Sequence, residues 1–108
     1  TWEDEGPEEG SFAYAAAEHL HQMIAQSIEA GWFRPANLEL ASNSVWAASH
    51  GLTMLAVTLP AFPKAKFPGR PDDPELTLDA MIRFHAEMVM RGLGSDRLID
   101  RLNAGLEV

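Results

Sequence analysis

Cysteine is absent from the 108 residues, which removes disulfides and thiolate chemistry together. Basic side chains are scarce: 8 Lys and Arg stand against 16 Asp and Glu, for a net charge of −8. Phosphate contacts need clustered cations, so this balance argues against DNA or an anionic membrane as a direct partner of this segment. No apolar run is long enough to span a bilayer and no leader pattern is read. The expectation is a soluble, cytoplasmic protein. The signatures of common catalysts are missing as well. There is no H-E-x-x-H helix spacing for a metal, no P-loop, and no strand-to-helix elbow around a serine. His19 and His21 are two apart and point to different sides of one helix, and Glu18 directly precedes His19. Ser49 adjoins His50, but neighbours on a helix diverge by about 100°. Neither a catalytic set, nor a metal, nor a cofactor is expected.

What is present is apolar material in helical register. Hydrophobic residues make up 46% of the chain, enough for one domain that buries roughly two-thirds of its unfolded surface. The opening "TWEDEGPEEG", residues 1–10, holds five acids and three helix breakers and reads as an exposed linker or disordered arm. Residues 11–31 read as a helix capped by Ser11. Its face runs through Ala13, Ala17, Leu20, Ile24 and Ile28, widened by Phe12 and Met23, and Gly31 ends it in the left-handed conformation.

Residues 38–59 form the most apolar segment, capped by Asn37 and stopped by Pro60. One stripe runs through Leu38, Ala41, Val45, Ala48, Leu52, Leu55 and Leu59. A second holds Ala47, Gly51, Met54 and Thr58, and a third Trp46, His50, Thr53 and Val57. A helix apolar on several sides is surrounded, by its own domain or by a partner. Glycine inside a helix costs about 1 kcal/mol relative to alanine, which suggests a close helix approach at Ala47 and Gly51. A symmetric interface between two copies is preferred there over internal packing.

Five prolines between residues 60 and 74 exclude regular structure from that loop. A third helix is expected over 76–92, capped at Asp73 or Thr77, with a face of Leu78, Ile82, His85 and Val89 broadened by Met81, Phe84 and Met88. Gly92 and Gly94 end it. Ser95 caps a short last helix with Leu98, Ile99 and Leu102 on its apolar face. His19 and His21 are expected at the surface, His50 and His85 in the packing. No segment reads as a strand, so the fold class is all-α: three main helices and a short C-terminal one.

"VWAASHGLTML", preceded by "AGWFRPANLELA" and followed by "MIRFHAEMVMRGL", resembles the C-terminal domain of TetR-family transcriptional regulators, in the branch with a Trp-His-Gly signature, here Trp46, His50 and Gly51. The resemblance covers most of residues 11–103, and residues 11–108 are read as that regulatory domain. It implies a homodimer joined by a four-helix bundle of the last two long helices, and an unknown apolar small-molecule effector. It also implies DNA binding only through an N-terminal helix-turn-helix that these residues do not contain. Effector binding would then change the spacing of the DNA-binding heads. The implied pocket lies between the first helix and the two bundle helices, with Met23, Trp46, His50, Phe84 and Met88 as lining candidates and His50 or His85 as the polar contact. The interface candidates are Ala47, Gly51, Met54 and Thr58. The proline-rich loop is not part of the signature. Apart from the resemblance, the alternatives are a stand-alone helical dimerisation module without effector, and a small helical enzyme built on buried histidines.

Overall fold

A computed structural model describes residues 10–59, 61–64 and 68–105. The proposed acidic arm, apart from Gly10, and Pro60 lie outside the described residues. Four helices occur among them: α1 (Phe12–Glu29), α2 (Leu38–Thr58), α3 (Leu78–Leu93) and α4 (Asp96–Asn103). The described residues contain no strand; their isolated bridge pairs Phe33 with Gly94.

Each helix begins where a short polar side chain can satisfy a free amide. Ser11 accepts from Tyr14 N at 3.1 Å, Asn37 from Leu40 N at 3.0 Å, and Thr77 from Ala80 N at 3.1 Å. Thr77, not Asp73, therefore opens α3. The Asp73 carboxylate instead accepts from Glu75 N at 2.9 Å, closing a turn ahead of the helix. α1 ends as expected: Ala30 caps it and Gly31 follows at φ +80°. α2 ends at Thr58, with Leu59 extended as the residue before a proline must be. α3 runs through Gly92 and ends at Leu93, with Gly94 as its cap.

The best-knit part of the molecule is one end, where two turns lock together. Arg34 N donates to Leu93 O at 2.8 Å and Ser95 N to Trp32 O at 2.9 Å. The Ser95 hydroxyl donates to Gly31 O at 2.7 Å and Trp32 O at 3.0 Å, and the Arg34 Nε to Gly92 O at 3.0 Å. The Arg97 guanidinium lies 3.7 Å from the centre of the Trp32 ring, a cation–π contact. Gly94 is required by this clasp: a Cβ there would stand 2.5 Å from Met90 O and 3.2 Å from both Leu98 and Ile99. The "WFRPAN" connector is thus the seat of the α3–α4 junction.

The buried hydrophobic residues lie towards the same end: Ile24 of α1, Ala41 of α2 and Leu98 of α4. α1 packs most extensively on α2. Its covered side holds the expected Ala13, Ala17, Leu20, Ile24 and Ile28, but Phe12 and Met23 are exposed. On α2 the covered positions are Leu38, Ala41, Ser42, Val45, Trp46, Ser49, Leu52 and Ala56. Ala48, Leu55 and Leu59 of the expected stripe are exposed instead, and two serines take covered places. Ser42 manages this because its hydroxyl donates back to Leu38 O at 2.7 Å. The chain's own helices thus surround only part of α2: Ala47, Gly51, Met54 and Thr58 are all exposed, and so are His50, Thr53 and Val57. On α3, Ala80, Met81, His85, Val89, Met90 and Leu93 are covered, while Leu78 and Ile82 are exposed. Glu87 and Arg91, one turn apart, pair at 2.9 Å, and Arg91 also reaches Asn103 of α4 at 2.9 Å.

Candidate functional site: an open groove between α2 and α3

α2 and α3 pack against each other through small and medium side chains, and one side of the pair is left open. Two hollows lie along it. The first, about 560 Å³, lies between the start of α2 and the end of α3 and includes Arg34, Leu40, Ser44 and Val89. The second, about 780 Å³, lies between the end of α2 and the start of α3. Ala47, Gly51, Leu55, Phe62, Leu76, Met81 and Phe84 line it, with Asp73 and Glu75. Ala48, His85 and Met88 line both hollows, so they form one groove. Volumes of about 300–1,000 Å³ are usual for small-molecule sites.

Small side chains line the groove from α2 at helical spacing, among them Ser44, Ala47, Ala48 and Gly51. They keep its floor low, while Leu40, Leu55, Phe84 and Met88 rise around it and stay largely solvent-exposed, Phe84 at 65%. Gly51 has open space above it: a Cβ built there meets no described atom within 4 Å. His85, which lines both hollows, has its Nε2 3.0 Å from Ser49 Oγ, a partly buried bond that joins the two helices. Sequence reading set Ser49 against its neighbour His50; the fold pairs it with a histidine 36 residues away. Among the described residues no acid hydrogen-bonds to the His85 ring. The arrangement fixes the ring of His85 where it lines both hollows.

The sequence candidates divide. Phe84, His85 and Met88 meet in the groove, together with Ala47 and Gly51. Residues assigned to a pocket and residues assigned to an interface therefore share one surface. Met54 and Thr58 are exposed further along α2. Trp46 turns the other way, into a cleft of about 220 Å³ between α1 and α2, beside Tyr14, His21 and Ser42. There His21 Nε2 meets Glu39 Oε1 at 2.8 Å, tying the two helices. His21 is thus partnered across helices, and His50, expected in the packing, is exposed. The physical reason is the register of α2: Trp46 and His50 share a stripe, but α1 covers only its beginning. Met23 is 51% exposed and lines none of these three hollows. Among the described residues no group of three His, Asp or Glu could hold a metal, and no helix is long and apolar enough to cross a membrane.

No family model matches the chain, and no curated protein and no solved structure is significantly similar to it.

Proposed function

We propose that this chain is the ligand-sensing and dimerisation domain of a TetR-like repressor, acting in the cytoplasm and not as an enzyme. In this reading α2 and α3 join their mates in a four-helix bundle, and an apolar small molecule enters the groove between them. Its binding alters the spacing of DNA-binding heads carried on an N-terminal domain. The Trp46–His50–Gly51 resemblance motivates the reading, and one observation carries it. Gly51 sits in mid-helix, at a cost of about 1 kcal/mol relative to alanine, yet apart from its chain neighbours and the backbone of its own helix no described atom comes within 4 Å of where a Cβ would stand. Internal packing does not account for the glycine. The close approach of a second copy's helix would account for it.

Two measurements test the two halves of the proposal. Sedimentation equilibrium is expected to give dimers for the native chain and monomers for Gly51→Leu at micromolar concentration. A Gly51→Leu chain that stays dimeric takes Gly51 out of the interface. A thermal-shift screen of apolar small molecules is expected to raise the Tm with at least one, since a ligand that binds only the folded state stabilises it by mass action. The encoding gene upstream of the Thr1 codon should specify a basic helix-turn-helix.

The shared surface favours a second reading, a dimerisation module that takes no effector, in which the partner's helices fill the groove. A native dimer that answers no small molecule would select it.

A further inference from the structure

The two ends of the groove differ in charge. Arg34 lies at the end near the turn clasp. At the other end the described ionisable lining residues besides His85 are Asp73 and Glu75, both exposed at the mouth of the larger hollow. Neither Lys64 nor Arg70, the described cations of the same loop, lines that hollow, and Arg70 has a partner of its own. Behind the two carboxylates the walls are apolar and rich in polarisable groups: the rings of Phe62 and Phe84 and the thioethers of Met81 and Met88. Aromatic faces attract an organic cation, and carboxylates at the mouth of a cleft with apolar walls focus the field on the same charge. An anion of equal size would meet the two acids with no opposing cation among the described lining residues.

We infer that the larger hollow selects a lipophilic monocation, a hydrophobic amine or quaternary onium ion, with its apolar body between Phe84 and Leu55 and its charge towards Asp73 and Glu75. This rests on the reading of the groove as a small-molecule site and names the chemical class that site prefers.

Tetraphenylphosphonium and tetraphenylborate test it, because they share four phenyl rings and nearly the same size and differ in sign. Binding to the full chain is measured by calorimetry at low salt. The cation is expected to bind at least about tenfold more tightly than the anion. The preference should shrink as salt is raised. In the double variant Asp73→Asn, Glu75→Gln the preference should vanish while the anion gains. Asparagine keeps an acceptor for the Glu75 amide, so the turn survives, and circular dichroism verifies the fold. In Phe84→Ala both probes should weaken alike, which places them in the groove. Equal binding of the two probes, tighter binding of the anion, or a preference that outlives the double variant would overturn the inference while leaving an apolar site in place. Failure of both probes to bind would overturn the inference and the small-molecule reading together.

Discussion

Replacing Gly51 by alanine should strengthen the monomer and weaken its pairing with a second copy. The site lies well inside α2, fourteen residues from its start at Leu38 counting inclusively and eight from its end at Thr58, so the full helix-interior difference of about 1 kcal/mol applies. The new methyl group meets nothing within 4 Å, so no steric loss offsets the gain. For a domain of this size that gain raises the Tm by about 4–8 °C. It is read by thermal unfolding at a protein concentration where sedimentation shows monomers. In a symmetric dimer that brings Gly51 against its partner, the same methyl is introduced twice. Overpacking of about 1–3 kcal/mol per site then raises the dissociation constant by at least tenfold. Gly31 supplies the contrast. It too has open space, but at φ +80°, where alanine is strained by about 1–2 kcal/mol, so Gly31→Ala should lower the Tm. A monomer destabilised by Gly51→Ala would refute the open groove. An unchanged dissociation constant would refute the interface.

Other outcomes follow from the clasp and the polar pair. Gly94→Ala should destabilise the chain by about 1–3 kcal/mol in urea unfolding, because its Cβ would overlap Met90 O. Ser95→Ala removes the cap of α4 and the hydroxyl donor to Gly31 and Trp32. It should cost about 1–2 kcal/mol, with loss of Trp32 fluorescence protection from quenchers. Ser49→Ala should leave global stability within about 1 kcal/mol but speed amide exchange in the second half of α2, where Ser49–His85 ties the two helices.

Helix positions and their starts were legible because they are local. Ser11, Asn37 and Ser95 cap amides three residues away, and Gly31 answers a backbone need of its own turn. The covered face of α2 was not. Periodicity reports which sides of a helix are apolar, and α2 is apolar on three. Which side is covered depends on α1 and α3, which arrive from elsewhere in the chain. The same holds for the site. Phe84, His85 and Met88 were legible as one broad face of α3. The Ser49–His85 bond joins residues 36 apart, and the Ser95–Trp32 bond residues 63 apart, with no local signal in either. His50 misled for the opposite reason: its stripe begins at Trp46, which lies in the α1–α2 cleft, but His50, Thr53 and Val57 beyond it are exposed.

The clasp at one end of α2 and α3, and the bare flanks at the other, make the pair behave like tongs. α2 is about 32 Å long. A tilt of about 5° at the clasp carries its far tip sideways by about 3 Å on that length, half the width of a phenyl ring with its hydrogens. The gap that a guest or a partner helix meets near Leu55 and Phe84 is thus governed from Trp32, Gly94 and Ser95, which touch neither. Residues remote from the larger hollow set its aperture, and whatever enters it at the tip exerts its longest lever arm on the clasp.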